Sequence, residues 1–504
     1  MFSRPPSRRF PGSSNRAKEE EPLSGRERAV AGTLGLLVVF MPWAFGSRNV
    51  WAQWIALGLA VVAMACALAP ARGAAVVTES GDGVDGEGAG RAGGWRRLVR
   101  FPLFWLGLVY LGFVTCQALN PAAVLVSTPL WWRLDFVEPI AWLPSGVDAP
   151  FARMNAWRVL VIHGAAWLAV CAAWTGLTRR GGVLMVLNLF IAGGAVLGLL
   201  GILQKVTGAK EIFWCVPSPA SGFHASFVYD NHAGAFLNLV VAAALGTGLW
   251  RHARGVKRME KSTPAPLYAL AAIAAGCSLL TGGSRAAALL LLGYVAVALV
   301  VAVVWRLYVR GENNRVLSLV CALAAAGFVA AAALFLDVRK AIDSAMDVLD
   351  KRDSREVEVR VTAREATWEM FEARPWTGWG AGSFRHAFPV FQQHHPLIYK
   401  QGRFTFFWTN AHNDHVQLLA EKGIFGAACA ALALLWVGWR FLRDRIWSNP
   451  GHLLFGLGLA LPLAHAWVDF PMANASVLTC FVVLATLLAR WVEINATRDR
   501  RLGG

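Results

Sequence analysis

Long uninterrupted apolar runs dominate the chain, at about 29–46, 50–69, 101–119, 154–177, 183–203, 231–250, 267–283, 286–305, 316–336, 412–440, 451–468 and 472–490. As helices rising about 1.5 Å per residue, most match the roughly 30 Å of a bilayer's hydrocarbon. Inside lipid only helices and closed barrels satisfy every backbone polar group, and the runs lack the period-two alternation of barrel strands. The pattern predicts an all-α polytopic transmembrane helix bundle of about twelve spans, with a large loop domain between spans 9 and 10. It divides into a disordered tail (1–28), N-terminal membrane helices (29–203) carrying a Gly-rich linker (70–98), a second membrane region (204–492) that includes a cap at 337–411, and a tail (493–504). The core of the linker, 73–94, is expected to be disordered.

The 412–440 run differs from the others at its start. With Asn410 or Asn413 as cap it opens on His412, Asn413, Asp414, His415, Gln417 and Glu421, then turns apolar as far as Arg440, Arg443 and Arg445. As one helix it would be about 44 Å long, so roughly two polar turns would project from the membrane. Asn413, Gln417 and Glu421, four apart, would share one face. A polar stripe on a membrane helix normally faces a wet cavity.

Composition agrees with the spans. The 504 residues are 56% hydrophobic and only 16% charged, which excludes a soluble globule. A net charge of +17 would suggest nucleic acid in a soluble protein. Here Lys and Arg collect in the segments that are internal when the N-terminus is cytoplasmic, so no nucleic-acid partner is inferred and both termini are placed inside. Twenty-three Trp suit interfacial anchoring. Eight scattered Cys give neither a disulfide framework nor a zinc finger. No cleavage site follows the first run, so a signal anchor is expected.

Other polar residues stand out by position. The turn TGGSRAA between spans seven and eight puts Arg285 at the membrane boundary, where a charge needs a partner or water. In RVTAREATWEMFEARP, a helix ending before Pro375, Arg360 and Arg364 lie one turn apart. The glycines of the following WTGWGAGSF serve either a plain turn or close approach to a phosphate or sugar. Lys205 and Lys210 are interfacial charges or phosphate contacts. Asn231 or Asp230 can cap span six, and Asp469, in HAWVDFPMANA, is a cap or a functional carboxylate. The 120–153 loop, with Trp131, Trp132, Asp135, Glu138 and Trp142, is a candidate lip.

Several of these stretches resemble one family. His412 and Asn413 followed by Gly423 and Gly426 are similar to the outer-loop signature of bacterial O-antigen ligases. TGGSRAA, SFVYDNHAGAFLNL, HAWVDFP and the run Arg360, Arg364, Trp368, Pro375, Gly378, Gly380, Phe384 resemble further elements of that superfamily, with Ala286 where the family often has Gly. The resemblance implies a metal-independent, inverting glycosyltransferase of the bacterial inner membrane, without cofactor. It would move a glycan from an undecaprenyl diphosphate carrier, the lipid-linked oligosaccharide donor, to the hydroxyl of a glycolipid or other acceptor on the periplasmic side. His412 would be the base. Arg285, Arg364, Arg360 and Lys205 would hold the diphosphate, supported by Asn413, Asp414, Gln417, Glu421, Asn231 and Asp469. An O-antigen or exopolysaccharide polymerase and a protein O-oligosaccharyltransferase share this pattern. Two other classes are a transporter and a membrane zinc hydrolase drawing on His386, His394, His395, His412 and His415.

Overall fold

Where apolar runs leave the backbone no water to bond with, the chain forms helices. The computed structural model describes residues 22–70, 86–128, 132–219, 222–305, 355–400, 403–404 and 407–502. In order these give α1 (Gly25–Trp43), α2 (Val50–Leu68), α3 (Gly86–Val99), α4 (Pro102–Leu119), α5 (Ala156–Gly176), α6 (Arg180–Val206), α7 (Asp230–Lys257), α8 (Ala265–Thr281) and α9 (Arg285–Val304). After them come α10 (Arg355–Ala373), α11 (Phe384–Gln392), α12 (Asp414–Arg443), α13 (Pro450–Gly458), α14 (Ala460–His465) and α15 (Ala475–Leu502). Eight of these, α2, α4, α5, α6, α7, α9, α12 and α15, are long and apolar enough to cross a membrane. The chain is a mainly helical, multi-pass membrane protein.

Burial orders the bundle. The apolar windows of α7, α15 and α5 are 89%, 83% and 72% buried, against 17% for α4 and 22% for α9, so the first three form the centre and the last two the rim. Outward-facing Leu267, Leu270, Ile273 and Leu435 suit lipid rather than water.

Eleven of the twelve expected runs overlap described helices, and three expected segments take another form. The ninth, 316–336, lies outside the described residues, as does 337–354 of the expected cap. The 451–468 run is two short helices, α13 and α14, because Pro462 cannot donate to the turn before it. Part of the linker is helical as α3, whose end docks through buried Leu98 and through Arg97, which donates to the Thr175 carbonyl at 3.3 Å. The C-terminal 493–502 continues α15 rather than forming a tail.

The all-α expectation also needs amending. The 120–153 loop builds a three-stranded sheet in the order β2–β1–β3 from β1 (Pro121–Ser127), β2 (Trp132–Phe136) and β3 (Gly146–Asp148). β1 pairs antiparallel with β2 and parallel with β3. A two-residue pair, β4 (Tyr399–Lys400) and β5 (Arg403–Phe404), lies in the cap. The cap has its own small core, in which Ala363, Ala366 and Met370 of α10 meet Phe384 and Phe388 of α11 and Trp379.

The largest departure is inside α12. It starts at Asp414, capped by Asn413, and breaks at Gly423, where φ is +61° and ψ −166°. The expected 44 Å rod is therefore a short polar helix, 414–422, followed by an apolar one. The partner of the break is the Gly-rich stretch. Ile424 and Phe425 N–H donate to the carbonyls of Pro375 and Trp376 (2.8 and 3.1 Å), and Trp379 and Gly380 N–H donate to those of Ala420 and Glu421 (3.0 and 2.8 Å). A Cβ at Gly378 or Gly423 would lie 2.3 or 2.4 Å from the opposite backbone. These glycines serve the contact of main chain with main chain, a third use beside the turn and the ligand approach expected from sequence.

Candidate active site

The short polar helix brings its leading histidine against the turn after α14. His412 sits at φ +50° one residue before the cap, so the chain turns sharply there. Asn413 Oδ1 accepts from the N–H groups of His415 (3.0 Å) and Val416 (3.1 Å), while its Nδ2 donates to the Trp467 carbonyl at 3.0 Å. Asp414 accepts from Met472 N–H at 2.7 Å. Its own N–H donates to the Ala466 carbonyl at 3.0 Å. Asn413 and Asp414 thus stitch 412–416 to 466–472 and hold one loop against the other.

That stitching delivers His412 to Asp469. The imidazole Nδ1 stands 3.3 Å from Asp469 Oδ1. The angle departs from that of a well-aligned hydrogen bond, so the pairing is electrostatic first. Asp469 is 2% exposed and is a hub. Oδ1 accepts from Phe470 N–H at 2.9 Å, and Oδ2 accepts from the Tyr229 hydroxyl at 2.9 Å and from Asn231 Nδ2. Asn231 also reaches the Tyr229 oxygen at 2.8 Å. Its role is therefore to hold the carboxylate and not to cap α7, whose cap position is Tyr229 with no side-chain bond. Aromatic rings close the imidazole in, with Phe470 and Trp408 edge-on at 4.8 and 5.4 Å and Phe470 stacked on Tyr229 at 5.2 Å.

Electrostatics follow from this packing. Burial pushes the Asp469 carboxyl up, but the bonding and charge of His412, with the charges of His232 and His465, outweigh it and leave the group below its ordinary value. Burial, and then the Asp469 charge beside it, raise the Tyr229 hydroxyl, which stays a proton donor.

Two arginines lie near the pair, and two further cations stand toward Asp230. Arg364 donates through Nη2 toward the His412 carbonyl at 3.5 Å. Its guanidinium is lowered by burial and by neighbouring Arg360, against the opposing charge of Asp469. Arg360 also lies within electrostatic reach of Tyr229. Arg285 is exposed at the start of α9, two residues after Gly283, where a Cβ would lie 3.0 Å from Asp230 Oδ2 at the start of α7. Lys205, at the end of α6, is exposed and within electrostatic reach of His224 and Asp230.

The remaining candidates have structural partners. Gln417 accepts from Ala411 N–H at 2.9 Å. Glu421 accepts from Gly382 and Phe384 N–H (3.2 and 3.1 Å), supplying from another helix the cap that α11 lacks, and it pairs with Lys422 at 3.4 Å. The five histidines of the zinc alternative do not converge. His394 and His395 both turn to Glu369 (3.0 and 2.9 Å), His386 to the Met154 carbonyl (3.1 Å), and His415 to that of Leu463 (3.3 Å).

Beside the cluster a cavity of about 1260 Å³ descends between α4, α5, α12 and α15. Tyr229, His232, Phe470 and Gln417 line its upper end, Arg158, Arg385 and Lys422 its wall, and Leu434, Val437 and Phe481 its apolar floor. His412 and the three arginines of the candidate site are not among its lining residues, so Tyr229 and Phe470 form the partition between the two. Tyr229, Phe470 and Trp408 were not singled out from sequence. The available signal was a Tyr immediately before the Asp-Asn-His at a helix start.

Residues 270–431 match the family model described as O-antigen ligase. The matched segment contains Arg285, Arg360, Arg364 and His412, whereas Tyr229, Asn231 and Asp469 reach the site from outside it. No curated protein matches the chain.

Proposed function

We infer, from the match of residues 270–431 to the family model described as O-antigen ligase, that this membrane enzyme transfers a glycan from a polyprenyl diphosphate carrier to an acceptor hydroxyl on the periplasmic side of the inner membrane. The observation that carries the reading is the pairing of His412 Nδ1 with buried Asp469 at 3.3 Å. A carboxylate there favours the tautomer with its proton on Nδ1, which leaves the lone pair of Nε2 to take a proton. The acceptor O–H gives its proton to Nε2 as its oxygen bonds the anomeric carbon. The bond from that carbon to the diphosphate breaks on the opposite side, inverting the centre. Charge then gathers on the diphosphate, and Arg364, Arg360 and Arg285 are the cations placed to receive it. Lys205 is a further contact farther out. The chemistry assigned to these residues requires no metal or cofactor. The apolar cavity floor suits a lipid chain, which favours a lipid-borne substrate over a transported solute.

The test is glycan transfer by the purified protein from a lipid-linked donor, with and without chelator. His412→Ala should lose about 10²–10⁴-fold in rate while keeping its thermal midpoint and its donor binding. Full transfer by His412→Ala, or loss of transfer by the parent protein on chelation alone, would refute the reading.

A further inference from the structure

At the end of α7 remote from Asp230 the chemistry is reversed. There the guanidinium carbons of Arg180, Arg251 and Arg254 lie 5.1, 5.5 and 5.3 Å from the centre of one ring, that of Trp250. The ring is 3% exposed and is held edge-on by Trp491 at 4.9 Å, so the arginines are gathered on a rigid platform. Arg258 and Arg498 are also within electrostatic reach of Arg180. The carboxylate felt at Arg254 is Glu260, itself 3.9 Å from Arg258.

A groove of about 360 Å³ opens beside this cluster. Its floor is one stripe of α6, Gly181, Leu184, Met185, Asn188 and Leu189, and its wall is Arg251. Arg251 Nε is buried and has no hydrogen-bond partner among the described residues. Asn188, exposed on an otherwise apolar face, is oriented by the Tyr268 hydroxyl, which donates to its Oδ1 at 2.7 Å. Guanidinium groups at the membrane boundary, an apolar stripe of Leu184, Met185 and Leu189 running inward from them, and an amide about two turns deep on the same face offer a phospholipid a contact for its phosphate, its chain and a polar ester group.

We propose that this groove binds an anionic phospholipid, with its phosphate on Arg251 beside Arg180 and Arg254, a polar atom of its ester region at Asn188, and an acyl chain against Met185 and Leu189. The site stands apart from the transfer chemistry and does not depend on that reading.

Native mass spectrometry of the delipidated full-length protein in an uncharged detergent tests it, titrating phosphatidylglycerol, phosphatidylcholine and inorganic phosphate separately. Phosphatidylglycerol should bind about tenfold more tightly than phosphatidylcholine, whose phosphate is the same but whose choline cation the arginines repel, and inorganic phosphate should not displace it. Arg251→Gln should weaken phosphatidylglycerol about tenfold, Arg251→Lys should recover part of the loss, and Asn188→Leu, at an exposed position, should weaken it less. Arg443→Gln, an exposed cation at the same end but outside the groove, should change nothing. Equal binding of the two lipids, full competition by phosphate, or equal losses in Arg251→Gln and Arg443→Gln would overturn the proposal.

Discussion

Two buried charge clusters hold the helices together at opposite ends of the molecule, and they are built on different rules. At the arginine-rich end Arg440 lies 2.8 Å from Asp444 and 2.9 Å from Glu493, Arg490 pairs with Glu493, and both arginines lie over Trp174 at 5.1 and 5.2 Å. Two permanent cations meet two carboxylates, and the network is closed. At the other end Asp469 is held by a phenol, an amide and a backbone N–H, all neutral, and its one ionisable bonding partner is a histidine. Arg364 stands within electrostatic reach of both Asp469 and Arg360. That arrangement can take up a proton and accept an anion, whereas the closed network can do neither without coming apart. Buried charge alone therefore does not mark a site. The mark is a titratable partner with guanidinium groups near it.

Asp469→Asn should break the contrast most sharply. The amide fills the same space but no longer favours the Nδ1–H tautomer, and transfer should fall by as much as about 10⁴-fold, the loss known when a triad carboxylate becomes an amide. The same variant has a stability signature. A carboxyl lowered in the folded state contributes stability above its unfolded value near 3.9 and loses it as pH falls through the folded value. Asp469→Asn should therefore show a flatter decline of thermal midpoint below about pH 4. Parent-like transfer would show that the hub is only a loop anchor.

Arg440→Ala, at the closed network, should do the opposite. Removing the cation that Asp444 and Glu493 share should cost about 3–5 kcal/mol of stability, while transfer per folded molecule stays near that of the parent. Loss of transfer with the thermal midpoint intact would mean that the two clusters communicate and that the contrast is false.

The sequence made the spans visible because an unbroken apolar run of membrane length has few other uses, and eleven of the twelve runs overlap described helices. It was less informative where distant segments decide the local conformation. Gly423 reads as one more small residue in a helix, at a cost of only about 1 kcal/mol; the break needs Pro375–Gly380, more than 40 residues earlier, to replace its lost bonds. The strand PAAVLVS reads as a loop until Gly146–Asp148 pairs with it. His412 was legible as an ionisable group at a capped helix start. Asp469 was equally well read as a cap, since nothing in the sequence ties it to Tyr229, Asn231 and His412. Glu421 and Gln417 were legible as a polar stripe facing a cavity, which both line, because the i, i+4 spacing was visible, while their backbone partners were not.

The smallest effect sharpens the boundary of the site. Tyr229→Phe keeps the ring, and with it the 5.2 Å stack on Phe470, and removes only the hydroxyl that donates to Asp469 at 2.9 Å. Asn231 and Phe470 N–H still serve the carboxylate. Losing one hydrogen bond to a charged group should cost about 1.5–3 kcal/mol of stability and lower the transfer rate by about tenfold or less, with donor binding unchanged. The raised Tyr229 hydroxyl cannot itself take a proton, so its part is to position the carboxylate. Tyr229→Ala, which also loses the stack and opens the partition to the cavity, should fall further. The decisive comparison is with Asp469→Asn. A Tyr229→Phe loss as deep as that of the amide would mean that the phenol touches the reacting groups directly, and the line between chemistry and support would have to be redrawn through Tyr229 instead of His412.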